Sequence, residues 1–366
     1  MATPLLDRIK AQISASGPIG VADYFAMCLS DPQAGYYTTR EPFGRDGDFV
    51  TAPEVSQLFG EIVGIFLVGA WQAAGEPSPV RLVELGPGRG TMTADILRVV
   101  EKLAPALATC LEVHLVETSS RLARQQRNTL AGRHERVSWH TRIDQVPAGF
   151  MLLVANEFFD AIPIRQFVRT ESGYRERCVG VDAEGNLVFA AGAARLPDTE
   201  LPASATSLPP GTVVETSPAR AAIMEEIAAR LASDGGVALA IDYGHLSPKA
   251  GDTLQALRAQ RPDPPLAHPG EADLTSHVDF DALARTASAA RAHVLGTATQ
   301  GDFLVRLGLL ERAGSLGHGK DDATQEAIRT AVERLAAPGE GNMGELFKVL
   351  AIGGTPLQLA PFRTAD

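Results

Sequence analysis

The stretch Val83-Glu84-Leu85-Gly86-Pro87-Gly88-Arg89-Gly90-Thr91 decides the fold. A short apolar run, Val80 to Leu85, enters it, and a helical pattern from Thr91 to about Leu103 leaves it. That order of strand, glycine loop and helix is the context in which a backbone wraps a nucleotide-like ligand. Glycines permit the tight turn and let the chain approach the ligand closely. A dinucleotide loop places its third glycine one position later, so that a pyrophosphate stacks on the helix N-terminus. Here Thr91 stands at that position. Glu84 separates the readings further, because a carboxylate before the loop opposes a pyrophosphate and suits a cationic ligand. S-adenosylmethionine carries an ammonium and a sulfonium and no phosphate, so it is the cofactor implied by Glu84, Gly86, Pro87, Gly88 and Gly90. Glu117 closes the next strand, where an acid can accept both ribose hydroxyls. The alternative is a plain strand-to-helix turn with exposed acids, and two acids at consecutive strand ends weigh against it.

Outward from the loop the rhythm repeats. Leu111 to Val116, Val137 to His140 and Phe150 to Ala155 read as strands, with a polar helix from Ser120 to Leu130 between the first two. This β-α-β-α-β alternation predicts a doubly wound α/β fold with a parallel sheet wrapped by helices. Later candidates are the helices Ala219–Leu231 and Phe280–Ala290 and the strands Val237–Ile241, Val294–Thr297 and Leu346–Ile352. The last two strands would form the closing hairpin of a seven-stranded Rossmann-like sheet. Arg165 to Ala190 alternates around two turn clusters and predicts antiparallel hairpins, followed by a Pro/Ser/Ala connector from Leu196 to Pro210. His245 to Ser276 is Pro-rich and reads as irregular. Ahead of the loop, helices are expected over Pro4–Ser14, Val21–Leu29 and the apolar Val55–Ala74, with Gly35 to Pro53 a long loop. The expected organisation is a helical lid region over 1–79 and a second domain over 80–366, with insertions at about 165–212 and 245–276.

Four stretches, Gly47-Asp48-Phe49-Val50-Thr51-Ala52-Pro53-Glu54-Val55-Ser56-Gln57-Leu58-Phe59-Gly60-Glu61, Asn156-Glu157-Phe158-Phe159-Asp160-Ala161-Ile162-Pro163, Ile241-Asp242-Tyr243-Gly244 and Pro269-Gly270-Glu271-Ala272-Asp273-Leu274-Thr275-Ser276-His277-Val278-Asp279-Phe280, resemble the MidA family of methyltransferases. The resemblance spans about Leu5 to Ile352. It implies a seven-stranded methyltransferase fold, S-adenosylmethionine as cofactor and transfer of methyl groups to a protein arginine. Because the family includes a mitochondrial complex I assembly factor, it also implies a respiratory complex I subunit as partner and a part in assembling that complex.

Methyl transfer is an in-line displacement, so the protein's tasks are positioning and the exclusion of water. An arginine acceptor is protonated under all ordinary conditions, and carboxylates that clamp the planar guanidinium are the physical answer. Glu157 and Asp160 follow the fourth strand and are the leading catalytic candidates. Tyr243, after the strand end at Asp242, and His277, opening a helix, are further catalytic candidates. Asn156 is expected at the cofactor, and Thr51 to donate to the methionine carboxylate. Asp48, Glu54 and Glu157 are expected to meet the substrate. The bland reading of the same residues is that Asn156 and Asp160 cap a turn over packed Phe158 and Phe159. Trp139 and His140 fall near where an adenine would lie.

Bulk properties set the remaining bounds. The 366 residues carry a net charge of −11, with 45% hydrophobic and 21% charged residues, and the mean hydropathy is 0.00. An acidic chain without basic runs is a poor match for nucleic acid. The apolar stretch Ile62 to Ala70 is too short to span a bilayer. Three scattered cysteines and eight scattered histidines offer neither a disulfide framework nor a metal site. A cytoplasmic setting is the expectation, and a homodimer through the Arg165 to Pro210 region is conceivable by fold analogy. A cofactor-binding assembly chaperone, a small-molecule methyltransferase and a dinucleotide-dependent oxidoreductase stay as competing readings.

Overall fold

The computed structural model describes residues 3–40, 51–197, 201, 205 and 208–362. Asp48 lies outside them, as does part of the Leu196 to Pro210 connector. The chain folds as two compact units. One is assembled from Met1–Phe49, Asp160–Ala222 and Ser247–Asp279, the other from Val50–Phe159, Ile223–Leu246 and Phe280–Asp366.

The second unit holds the doubly wound sheet. Its strands are β1 (Val80–Leu85), β2 (Leu111–Val116), β3 (Val137–His140), β4 (Phe150–Asn156), β5 (Gly236–His245), β6 (His293–Thr299) and β7 (Phe347–Gly353), in the order β3-β2-β1-β4-β5-β7-β6. The first five pair in parallel, with Leu85 opposite Val116 on one side and Ala155 on the other. β7 runs antiparallel to both β5 and β6, which is the closing hairpin the sequence predicts. The chain winds one way from β1 to β3 and then crosses to β4. Such a switch opens a crevice at the carboxyl ends of β1 and its neighbours. β1, β4 and β5 are buried along nearly their whole length, as strands covered on both faces must be.

The apolar helix α1 (Gln57–Ala73) differs in its start from the expected Val55–Ala74. Ser56 is extended and its hydroxyl accepts from Leu58 N at 3.2 Å, so it caps α1 and cuts off a short turn of helix, Ala52–Val55. α1 buries Leu58, Phe59, Ile62, Val63, Phe66, Leu67 and Trp71. Trp71 is core, and its indole donates to Pro77 O at 2.9 Å. The helix α2 (Thr91–Leu103) packs against α1 where Gly60 removes a side chain. A Cβ there would stand 2.7 Å from Asp95 Cβ. Beside this contact the buried Glu61 accepts from Arg98 and Arg312. The helix α3 (Ser120–Leu130) follows β2.

The first unit carries the helices Pro4–Ser16 and Val21–Ser30. Thr3 caps the first of them, accepting from Leu6 N at 3.0 Å. Their buried faces (Leu5, Ile9, Tyr24, Phe25, Cys28) pack with Val179 and Leu274. The expected hairpins form: Gly173–Val181 pairs with both Arg165–Thr170 and Leu187–Arg195. Two stretches read as irregular contain structure. Gly35 to Pro53 includes one helical turn, Tyr36–Thr39, and the turn that begins at Ala52. His245 to Ser276 contains three short strands, Gln255–Arg258, Arg261–Asp263 and Asp273–Thr275. Arg258 faces Arg261 across a two-residue turn in which Ala259 and Gln260 both have positive φ.

Candidate cofactor and active site

The candidate site is built within the second unit, at the carboxyl ends of β1, β2, β4 and β5. After β1 the chain turns through Gly86, Gly88 and Gly90, all at positive φ. Gly86 is the position where a side chain would crowd a neighbouring ring. With φ at 62°, a Cβ there would lie 3.1 Å from the Phe158 ring. Gly86 N donates to Val116 O at 3.0 Å, which ties the loop to the end of β2.

Glu84 lies beneath the loop, 4% exposed, and accepts from the Thr93 hydroxyl on α2. Burial pushes its carboxyl up to about 7, against the opposing pull of the Thr93 hydrogen bonds. Glu117 stands half-buried just beyond β2. It accepts from Ser119 N at 2.7 Å and from Gln126 Nε2 at 3.1 Å, and burial raises its pKa. A carboxylate offers about four acceptor sites, so capacity remains for a ribose hydroxyl.

Asn156 ends β4 and is 7% exposed. Its Oδ1 is buried with no hydrogen-bond partner among the described residues, an acceptor that a ligand donor in the crevice would satisfy. Glu157 follows in a left-handed conformation, φ 49°, unusual for a residue with a side chain. Its backbone N donates to Ile241 O at 2.9 Å. Its Oε1 accepts from Ala52 N at 3.0 Å and from Asn156 Nδ2 at 3.2 Å. The Ala52–Val55 turn is therefore joined to the end of β4. Glu54 joins the same turn to the glycine loop, accepting from Thr91 Oγ1 at 2.7 Å and from Arg89 Nη1 at 3.2 Å. Thr51 is the N-cap residue of that turn and makes no side-chain cap bond.

Thr51, Glu54, Glu84, the glycine loop, Glu117, Asn156 and Glu157 thus belong to one contiguous part of this unit. Tyr243 is in the same unit but buried, edge-on to Phe347 with ring centroids 5.5 Å apart. Asp160 and His277 belong to the first unit. There Arg220 donates to Asp160 O at 3.2 Å and to His277 O at 2.7 Å, while His277 N donates to Thr253 Oγ1 at 3.0 Å.

Sequence reasoning gave two residues no role. Asp242, 0% exposed, accepts through Oδ2 from Phe158 N at 3.2 Å and Phe159 N at 3.0 Å, and through Oδ1 from Tyr243 N at 3.0 Å. It fixes the turn that carries Glu157, and the signal was an aspartate directly after the apolar run Val237–Ile241. Gln126 on α3 gave no such signal, being one polar residue among many in a polar helix. Trp139, expected near an adenine, donates to Gln126 Oε1 at 3.0 Å and carries the Arg127 guanidinium 4.5 Å from its ring centroid.

These residues fit S-adenosylmethionine: a glycine turn open to a ligand, an acid at the end of β2 and an unsatisfied acceptor at the end of β4. Known proteins agree. Residues 62–298 match the model of a family described as S-adenosyl-L-methionine-dependent methyltransferases. A Burkholderia thailandensis protein crystallised with S-adenosyl-homocysteine superposes with a TM-score of 0.83 at 29% identity, over 98% of this chain and 96% of that one. A second crystal structure from that organism gives 0.81 at 32% identity, over 99% and 97%. The protein arginine methyltransferase NDUFAF7 homolog of Drosophila melanogaster is 37% identical, over 95% of this chain and 84% of its own. The Homo sapiens protein arginine methyltransferase NDUFAF7 is 36% identical, over 96% and 83%.

Both of these relatives are named as mitochondrial, which overturns the cytoplasmic expectation. Composition and unpaired cysteines led there, and they do not distinguish one reducing aqueous compartment from another. Among the described residues no helix is long and apolar enough to cross a membrane. The match over most of the chain, together with the β1 loop and its acids, shows that this protein belongs to the S-adenosyl-L-methionine-dependent methyltransferase family.

Proposed function

We propose that the chain is a protein-arginine N-methyltransferase whose acceptor is a subunit of respiratory complex I, so that its activity supports assembly of that complex. The observation that carries the reading is Glu157, set at φ 49° directly after β4 and held by Ala52 N–H and the Asn156 amide. The names of the relatives, protein arginine methyltransferases, support the same acceptor chemistry. When bound, S-adenosylmethionine supplies a methyl group made electrophilic by its sulfonium. The chain's own work is then positional. The glycine loop, Asn156 and Glu117 hold the donor side. Glu157 accepts from the guanidinium N–H groups, fixing the planar group and favouring departure of the proton that must leave when the new N–C bond forms. The Ala52–Val55 turn, tied to Glu157 and through Glu54 to the loop, covers the crevice and keeps water out.

The test is incubation with methyl-labelled S-adenosylmethionine and the isolated complex I subunits, followed by hydrolysis and identification of the labelled amino acid. Label recovered as methylarginine in one subunit is the expected result. Label on lysine or a carboxyl group, or turnover only with small molecules, would replace this reading. Binding without transfer to any acceptor would favour an assembly chaperone.

A further inference from the structure

Gln126 is fully buried and its amide is satisfied on both sides. Trp139 Nε1 is a donor only, so the atom facing it at 3.0 Å must be the amide oxygen. That fixes the other end: Nε2 donates to Gly88 O at 2.9 Å and to Glu117 Oε2 at 3.1 Å. One side chain therefore links the glycine loop, the acid beyond β2 and the end of β3. Arg127, the next residue of α3, lies over the Trp139 ring and holds the indole from its face.

We infer that Gln126 is a positioning residue for cofactor recognition: oriented by Trp139, it holds the Glu117 carboxylate in register with the Gly88 peptide, so that the acid meets the ribose hydroxyls. Glu117 Oε1 is fixed by Ser119 N, and Gln126 holds Oε2 from α3. A carboxylate anchored at both oxygens presents its remaining lone pairs in one direction. One anchored at a single oxygen rotates about χ3, a broad and nearly two-fold torsion. The inference rests on the family's cofactor and is independent of the methyl acceptor.

The test is calorimetric titration of the full chain with S-adenosyl-homocysteine and with its 2′,3′-dideoxyribose analogue. Wild type, Gln126→Met and the isosteric Gln126→Glu are compared, with melting curves to establish folding. Wild type should prefer the hydroxylated ligand. In Gln126→Met the affinity for S-adenosyl-homocysteine should fall about tenfold, the order expected for one lost charge-assisted hydrogen bond. The analogue should lose much less, so the preference for hydroxyls collapses. Gln126→Glu, which sets a second carboxylate against Glu117, should lose more, and the loss should shrink as pH falls. A residue that only supports the fold would weaken both ligands by one factor. That outcome, or unchanged affinities in a folded variant, overturns the inference. If Gln126→Met does not fold, the same comparison in Gln126→Glu decides it.

Discussion

Glu157 and Glu84 are both acids beside the glycine loop, yet their surroundings set different tasks. Glu157 holds its carboxylate between Ala52 N and the Asn156 amide. Glutamine keeps the accepting oxygen and loses the charge. Glu157→Gln should therefore bind S-adenosyl-homocysteine as wild type does, with methyl transfer to protein slowed by about 10²–10⁴-fold. Single-turnover transfer measured beside calorimetric binding checks this, and undiminished transfer would remove Glu157 from the reaction. Glu84 is buried against Thr93 and its carboxyl is raised from 4.5 to about 7. Between those values the folded chain keeps a proton that the unfolded chain releases. The stability from this group is complete below about 4.5 and is lost as pH rises through about 7. The loss is roughly 3 kcal/mol. Denaturant melts of the ligand-free protein at pH 5 and pH 8 should show it, and Glu84→Gln should flatten the difference. A wild-type profile that falls no more than the Glu84→Gln profile in that window would mean that Glu84 is ionised in the folded state.

Between elements, the turn after β4 depends on a side chain from β5. Asp242 accepts from three backbone N–H groups, those of Phe158, Phe159 and Tyr243. In Asp242→Asn the amide has a single acceptor oxygen and turns an N–H toward at least one donor. The expected cost is about 2–4 kcal/mol of stability, with cofactor affinity and transfer impaired together because Glu157 rides on the same turn. Equilibrium unfolding of the variant measures it, and a change below about 0.5 kcal/mol would mean that the N–H groups find other acceptors. Elements with a clean period were legible in the sequence. Thr91–Leu103, Ser120–Leu130 and Leu111–Val116 have the bounds their apolar patterns set. The break at Ser56 was not, because a hydrophobic run hides a cap inside it. The Ala259-Gln260 turn was hidden for the opposite reason: two positive φ values ordinarily call for Asn or Gly, and neither residue is present.

Across the whole molecule, the sequence shows segments in line while the fold gathers them out of line. The stretches around 165–212 and 245–276 read as separate insertions, yet each contributes to the unit that also contains the N-terminal helices. No local pattern records that joining, because it is made of contacts between residues far apart in the chain. The cofactor site divides the same way. Glu84, the glycines and Glu117 were visible because they fall at strand ends with a fixed spacing. Gln126 and Asp242 were not, since each acts by hydrogen bonds to residues from other elements. The molecule as a whole should take one ligand class at the β1 loop.

The most direct measurement is calorimetric titration of the full chain with S-adenosyl-homocysteine and with NAD, repeated on Gly86→Val after its melting curve has been shown to match wild type. Saturable binding of S-adenosyl-homocysteine at one site per chain and no heat from NAD are the expected results. Binding should be lost in the variant, where the added side chain meets Phe158. NAD binding in the wild type, or undiminished S-adenosyl-homocysteine binding in the folded variant, would contradict it.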